Sequence, residues 1–178
     1  MSEMQKTIKE AVTLTGQGLH SGLQVTLTIL PAVANHGIKF QRIDLEGEPI
    51  IEAFADYVTD TSRGTTLEKN GVKVSTIEHV MAAIVGCDID NALVQLNAPE
   101  TPIMDGSAKF FLEAIEAVGT QEQNAERVYF EIKEKTVWKD EKHNIEIVAY
   151  PDDHFSLNVM IDYNSKVLGN QYANMERI

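Results

Sequence analysis

The chain has 178 residues, 43% of them hydrophobic and 24% charged, an ordinary composition for a domain with enough length to build a core. Its formal charge of −12 argues against nucleic acid or an anionic membrane surface as the main partner, although a few local cations could still bind a phosphorylated ligand. Cys87 is the only cysteine, and the sequence has neither a signal-peptide core nor the ~18 apolar residues of a membrane helix. A cytoplasmic protein without an integral membrane segment is therefore expected.

The first part of the chain is predicted to be rich in β-strands. Alternating apolar and β-branched residues predict strands at 7–14, 24–29, 37–42 and 50–58. The first two of these are separated by a glycine-rich loop around His20. Further on, Asn70-Gly71 stands between two alternating segments, which is the strongest short signal for a tight β-hairpin.

A helix is predicted from Ser75 to Gly86, because Ser75 is a good N-cap residue and Gly86 a good stop. Its apolar stripe consists of Ile77, Val80, Met81, Ile84 and Val85. The opposite side carries Ala82 and Ala83, and no charged residue occurs from Val80 to Cys87. A helix that is apolar all round is usually covered on both faces, so a second partner for this helix is expected.

Glu78 and His79 lie on the first turn of this helix, and each has two interpretations. Ser75 and Glu78 fit a capping box, in which Glu78 only bonds back to the N-cap amide. His79 could be a half-buried histidine that packs, or it could bind a metal. Spacing alone favours the structural interpretation of both, since Ala83 stands where the His-Glu-x-x-His zinc motif needs its second histidine.

A strand at 91–96, a turn-rich loop at 98–106 and a second helix follow. Ser107 is predicted to cap this helix and Gly119 to end it. Its apolar stripe consists of Phe110, Phe111, Ala114, Ile115 and Val118. These elements predict an α+β fold, a two-layer sandwich of two helices on an antiparallel or mixed sheet, with a complete first domain at 1–125.

After an expected polar link at 120–126, the sequence repeats itself. Three segments in the first part, which begin at Ile8, Val25 and Ile38, have counterparts beginning at Ile132, Ile145 and Leu157. Three similar segments in the same order suggest a duplicated unit. Residues 126–178 are therefore predicted to be the truncated, strand-only start of a second domain, with a polar tail at 164–178 that has no clear partner. The chain is expected to be the front part of a two-domain protein.

Four blocks of the sequence resemble one enzyme family. They are Gly16-x-Gly-Leu-His20-Ser-Gly22, Ser75-Thr-Ile-Glu-His79, Asp90-Asn91 and Asn97-Ala-Pro-Glu-x-Pro-Ile-Met-Asp-Gly-Ser107. Together they are similar to the UDP-3-O-acyl-N-acetylglucosamine deacetylases, the LpxC family of zinc hydrolases of lipid A synthesis, over essentially the whole chain. The resemblance implies two similar α+β units with the active site between their helix layers.

The resemblance also implies roles for individual residues. His79 matches the first of three zinc ligands, two histidines and an aspartate, and the other two belong to a His-x-x-x-Asp segment beyond Ile178. Glu78 matches the general base, which takes a proton from the attacking water and returns it to the leaving amine. His20 either stabilises its tight glycine loop or supports the metal site from behind. Asp105 is expected to form a turn rather than to act in catalysis.

Arg63 and Gly64 match the loop that lines the family's sugar site, which assigns them to substrate binding. Many members carry Leu and Cys at these two positions, so this chain departs from the pattern. Arg63 either contacts an anionic group of the substrate or is an unrelated surface residue. The implied reaction removes the N-acetyl group from a small-molecule UDP-acyl-sugar, UDP-3-O-(3-hydroxyacyl)-N-acetylglucosamine, with Zn²⁺ as the cofactor.

Two alternatives to this function stay open. The chain could be a non-catalytic acidic structural or interaction module, in which Glu78 only caps and His79 only packs. The parent polypeptide could also be fused to a 3-hydroxyacyl-carrier-protein dehydratase, as in some relatives of the family. As a fragment of the deacetylase, the chain holds only one of the three zinc ligands and is expected to be inactive alone. It is also expected to self-associate through its unpaired strands.

Overall fold

The computed structural model describes residues 3–176, so that the first two and last two residues lie outside it. The fold is α+β, as the sequence predicts, with many more strands than helices. The chain divides after Arg127 into two compact units. Across the described residues, no helix is long and apolar enough to cross a membrane.

The first unit contains two α-helices, ten strands and one short 3₁₀ turn within residues 3–127. The helices are α1 Glu78–Gly86 and α2 Lys109–Val118, and the 3₁₀ turn is Ala55–Tyr57. The strands are β1 Met4–Ile8, β2 Val12–Gln17, β3 Gln24–Pro31, β4 Ile38–Arg42, β5 Ile50–Glu52, β6 Val58–Asp60, β7 Thr66–Lys69, β8 Val72–Val74, β9 Ala92–Leu96 and β10 Thr120–Glu126.

The main sheet has the strand order β2-β3-β9-β4-β5, with β4 and β9 parallel and the other pairs antiparallel. Alternate residues of its strands are fully buried, as the sequence pattern predicts for half-buried strands. The hairpin at Asn70-Gly71 is confirmed, since it joins β7 to β8. The segment predicted as one strand at 50–58 is instead split into β5 and β6 by the 3₁₀ turn.

The two helices pack against each other, and α2 also contacts β2, which builds the predicted two-layer arrangement. Phe111 and Ile115 of α2 are completely buried, as are Val80 and Ile84 of α1. They meet the buried side chains of the sheet, such as Phe40, in one core. The predicted end of α2 is confirmed, because Gly119 takes a φ of +76° that suits glycine.

The start of α1 differs from the prediction. The helix begins at Glu78, and Ser75 does not cap it, because its N–H and hydroxyl both donate to the carbonyl of Pro99. Ser75 is thus held by the loop after β9 and is not free to serve the helix. The apolar stripe is also rotated from the predicted one: Val85 is 47% exposed, whereas Ala83 is buried.

The polar link predicted at 120–126 was wrong, because these residues form β10, which pairs antiparallel with β1. The strand is polar, yet its inward side chains find partners. Gln123 donates to the carbonyl of Ala32 and accepts a hydrogen bond from Asn91. Polar residues can occupy such a position when their hydrogen bonds are satisfied, and composition alone gave no sign of these partners.

The second unit contains four strands within residues 128–176. They are β11 Thr136–Asp140, β12 Ile145–Ala149, β13 Ser156–Asp162 and β14 Asn170–Glu176. They form two antiparallel hairpins, β11-β12 and β13-β14. The prediction that the tail at 164–178 has no partner was wrong for its described part, since β14 pairs with β13; residues 177 and 178 lie outside the description. Many large apolar side chains of this unit are exposed, including Trp138, Ile147 and Val159.

Candidate functional site

Glu78 is held at the start of α1 by a loop that comes earlier in the chain. Its Oε2 accepts a hydrogen bond of 2.8 Å from the backbone N–H of Thr65. The capping interaction expected for Glu78 is absent, since no side chain caps α1 in the described structure. A carboxylate at the N-terminus of a helix is also favoured by the helix dipole. The Glu78 side chain is therefore oriented by the hydrogen bond from Thr65, at a helix position that favours a carboxylate, while it stays 37% exposed.

Gly64 allows this close approach of loop and carboxylate. A Cβ atom on Gly64 would lie 2.9 Å from Glu78 Oε1, closer than real Cβ contacts allow. The φ of Gly64 is also positive, at +153°. The loop from 61 to 65 can therefore bring its backbone against Glu78 because it has no side chain at this point.

His79 lies next to Glu78 and is 25% exposed at its side chain. Its Nε2 is 3.7 Å from Glu78 Oε1, which is longer than a hydrogen bond. The kinds of donor in this pair fit zinc chemistry, namely an imidazole nitrogen as a ligand with a carboxylate beside it as a base. This pair alone has too few ligands to hold a catalytic zinc ion, which takes three protein ligands.

His20 and Arg63 are brought together beside this pair. The Nε2 of His20 lies 3.2 Å from the backbone carbonyl of Arg63, within hydrogen-bond distance. A cavity of about 240 Å³ opens here. It is lined by His20, Asp60, Arg63, Gly64, Thr66, Ser75 and Thr76. Three of the residues assigned from the sequence, His20, Arg63 and Gly64, thus border one cavity, and Gly64 links it to Glu78.

Glu100 is a residue of this region that the sequence analysis left without a role. The residue is 1% exposed, and its carboxylate accepts hydrogen bonds from the backbone N–H groups of His20 and Ser21 and from the Thr76 hydroxyl. Burial raises the pKa of Glu100, but a hydrogen bond from the Ser21 hydroxyl, together with the three bonds just named, outweighs burial and brings the pKa below its ordinary value. In the sequence, only its place in the Asn-Ala-Pro-Glu block points to a role for Glu100. A glutamate in a turn-rich loop would ordinarily be exposed.

Asp105 is exposed and forms its contacts within its own turn. One carboxylate oxygen accepts hydrogen bonds from both the backbone N–H and the hydroxyl of Ser107, at 3.0 and 2.8 Å. The hydrogen bond from the Ser107 hydroxyl is the main cause that lowers the pKa of Asp105. Nothing in the described structure joins Asp105 to Glu78 or His79 by a hydrogen bond or ion pair.

The described residues bring together one further set of potential metal donors, Asp152, Asp153 and His154 in the second unit. All three are exposed, and His154 Nδ1 lies 2.6 Å from Asp153 Oδ1. Exposed acidic groups of this kind are common without a metal, so the set indicates no site.

The fold and the site together define an α+β protein with a carboxylate and an imidazole at the start of one helix, next to a cavity. The comparison with known families is specific. Residues 5–177 match the LpxC family, described as UDP-3-O-acyl N-acetylglycosamine deacetylase. The chain therefore belongs to the LpxC family.

Several known proteins are similar over almost the whole chain. The bifunctional enzyme LpxC/FabZ of Bacteroides thetaiotaomicron is 54% identical over 172 residues, which cover 97% of this chain and 37% of that protein. The UDP-3-O-acyl-N-acetylglucosamine deacetylase of Teredinibacter turnerae is 45% identical, over 92% of this chain and 53% of that protein. The UDP-3-O-acyl-N-acetylglucosamine deacetylase of Geotalea uraniireducens is 41% identical, over 97% of this chain and 55% of that protein. The chain thus spans between about a third and just over half of these relatives.

Proposed function

We propose that this chain is the front portion of a zinc-dependent deacetylase that acts in the bacterial cytoplasm. Its substrate would be UDP-3-O-(3-hydroxyacyl)-N-acetylglucosamine, from which it removes the N-acetyl group in lipid A synthesis. The observation that carries the proposal is the Glu78–His79 pair, in which Thr65 fixes the carboxylate 3.7 Å from an imidazole nitrogen. The deacetylase names of the relatives from Teredinibacter turnerae and Geotalea uraniireducens support it.

Each residue of the pair has a separate task in this proposal. A bound zinc ion would polarise the amide carbonyl and lower the pKa of a water molecule toward ~7. His79 would supply one imidazole nitrogen to that metal. Glu78 accepts the proton of the attacking water and donates it to the nitrogen of the leaving amine, so that the acetyl C–N bond breaks as acetate and a free amine form.

Arg63, Gly64 and His20 are assigned to the substrate side of the site. They border the cavity beside Glu78, and Arg63 carries a positive charge in a chain whose formal charge is −12. We assign Arg63 and Gly64 to contacts with the UDP-sugar and His20 to the shape of the loop against them. Asp105 is assigned to its turn, because its contacts are with Ser107.

We further propose that the domain predicted at 1–125, whose last strand runs on to Glu126, is complete, and that the segment predicted at 126–178 is the start of a second, similar one. The hairpins β11-β12 and β13-β14 follow one another as β2-β3 and β4-β5 do in the first unit. The remaining zinc ligands would then lie outside the chain. With one protein ligand the 178 residues alone would hold zinc weakly, show no turnover and self-associate through exposed apolar strands.

A bifunctional parent protein is the second candidate, and a specific observation favours it. The relative from Bacteroides thetaiotaomicron is a bifunctional enzyme LpxC/FabZ, as is one from Porphyromonas gingivalis that is 45% identical over 176 residues. A dehydratase domain would then follow the deacetylase in the same polypeptide. The reading frame downstream of this chain, and a dehydratase assay on the complete product, distinguish the two candidates.

The experiment that tests the function replaces His79 in the complete polypeptide. His79→Ala is expected to lose stoichiometric zinc, measured by metal analysis, together with deacetylation of the UDP-acyl-sugar. His143→Ala is the matched control, because His143 is exposed and pairs only locally with Asp140. Full zinc occupancy in His79→Ala would refute the metal role. A wild-type polypeptide without deacetylase activity would favour the non-catalytic module instead.

A further inference from the structure

The carboxylate of Glu100 is completely buried and accepts hydrogen bonds from backbone N–H and hydroxyl groups. Its partners include the N–H of His20, at 2.9 and 3.2 Å to the two oxygens, the N–H of Ser21 at 2.7 Å and the hydroxyl of Thr76 at 3.1 Å. The hydroxyl of Ser21 also donates to it. Within the described residues no lysine or arginine pairs with it. A buried carboxylate without a cation is costly unless such donors replace its hydration, which makes this arrangement a demanding one to maintain.

The carboxylate joins two segments that lie far apart in the sequence. One is the glycine loop from 18 to 22, where a Cβ on Gly18 would lie 2.5 Å from Glu100 Oε2, so that only glycine permits the contact. The other is Thr76, which enters α1 with a φ of +58°, an uncommon conformation for a β-branched residue. Its hydroxyl donates to Glu100 and its carbonyl accepts from Thr101, and these bonds hold the unfavourable backbone in place.

Both segments lead to Glu78. Through the loop, His20 contacts the carbonyl of Arg63, and two residues later Thr65 donates to Glu78 Oε2. Through the helix, Thr76 lies two residues before Glu78 in the sequence. These hydrogen bonds and the short backbone segments between them therefore connect the buried carboxylate of Glu100 to the partly exposed carboxylate of Glu78.

We propose that Glu100 is the positioning residue of the site, which sets the orientation of Glu78 and the placement of the His20 loop beside the cavity. The inference rests on the proposed deacetylase function, since it assigns to Glu100 a role in the turnover that Glu78 performs. Glu100 itself touches neither the substrate nor the metal in this scheme. It acts by fixing the two chain segments between which the base is held.

The conservative variant Glu100→Gln tests this directly in the complete polypeptide. Its amide keeps the shape of the side chain but turns an N–H₂ group toward donors, so at least one of the donor groups around Glu100 loses its acceptor. We expect kcat to fall by about tenfold to a hundredfold, the range seen when supporting groups of a site are displaced. Zinc content should stay stoichiometric, and the backbone amides of Ser21 and Thr65 should exchange hydrogen faster. Glu113→Gln, an exposed carboxylate on α2, is the control.

A second pair of variants keeps the test decisive if Glu100→Gln does not fold. Thr76→Val removes the hydroxyl but keeps the β-branched shape, and it is expected to lower kcat. Thr76→Ser keeps the hydroxyl, and its kcat should be higher than that of Thr76→Val. A merely structural role would lower the melting temperature of Thr76→Val without this split in kcat. Folded Glu100→Gln with kcat within about twofold of wild type and unchanged Thr65 exchange overturns the proposal. Absence of activity in the wild type would instead refute the proposed function.

Discussion

Replacing Glu78 by glutamine separates its chemical role from its role in holding the loop. The amide oxygen of the glutamine could accept the same 2.8 Å hydrogen bond from Thr65, so the loop at 61–65 should stay attached. A hydrogen bond to a charged group contributes ~1.5–3 kcal/mol and a neutral one ~0.5–1.5 kcal/mol. Because Glu78 is 37% exposed, the difference should lie at the low end, and we expect a stability loss below about 1 kcal/mol.

The effect on turnover should be much larger than the effect on stability. Glutamine cannot accept the proton of the attacking water, so kcat is expected to fall by about 10²-fold or more. Glu78→Ala should lose as much activity and, in addition, about 1–2 kcal/mol of stability, because the N–H of Thr65 then has no acceptor. The exposed glutamate Glu113, which pairs with Lys109 one turn away, provides the control variant Glu113→Gln.

The measurements are deacetylation kinetics and urea unfolding on the complete polypeptide, with hydrogen exchange of the Thr65 amide. If Glu78→Gln retained turnover while its unfolding midpoint fell, Glu78 would be a loop anchor and the base would have to be another group. If Glu78→Ala left the exchange of the Thr65 amide unchanged, the hydrogen bond would not hold the loop in solution. Either result would refute part of the reasoning.

Three further predictions concern the first unit. Phe111→Ala, at a completely buried position, should cost about 3–5 kcal/mol in urea unfolding, because it leaves a cavity between α2 and the sheet. Asn91→Ala should cost about 2 kcal/mol or more, since it removes the acceptor of the Gly37 N–H and one of the two donors to the Gln5 amide oxygen. The hydrogen bond from Arg42 holds the pKa of Asp44 below its ordinary value of 3.8. The pair therefore stabilises the fold above pH 3.8, and this contribution is lost as the pH falls through the lower pKa of the folded state. Asp44→Asn should remove that part of the acid dependence of the melting temperature.

The elements that the sequence predicts well are those set by local chemistry. The hairpin at Asn70-Gly71 needs a positive φ at both turn residues, and they adopt +52° and +78°. The end of α2 at Gly119 likewise follows from a backbone conformation that glycine favours. The central strand β9 was predicted because it is a short apolar segment between turn residues, and its Val94 is completely buried.

The features that the sequence did not predict depend on contacts between distant segments. Ser75 carries the signature of a helix cap, yet its hydrogen bonds go to Pro99, which follows a strand that the local sequence cannot place beside it. Glu100 is buried because the His20 loop and Thr76 supply its donors, and no pattern around residue 100 indicates them. For the same reason the polar strand β10 looked like a linker, since its side-chain partners come from elsewhere in the first unit.

If the second unit is the start of a similar domain, as proposed above, the topology of the first unit accounts for the apolar surface that the second one exposes. In the main sheet the hairpins β2-β3 and β4-β5 do not pair with each other; β9 lies between them and pairs with both β3 and β4. That strand comes after the helix α1, so the two hairpins are joined only when a segment from much later in the chain reaches them. The second unit contains two successive hairpins, which we propose correspond to these two, but within residues 128–176 no strand joins β12 to β13. Ile147 on β12 and Val159 on β13 are accordingly 61% and 41% exposed.

The self-association proposed for the isolated chain should therefore proceed through these two strands, because their unpaired edges and apolar side chains are the surfaces that a central strand would cover.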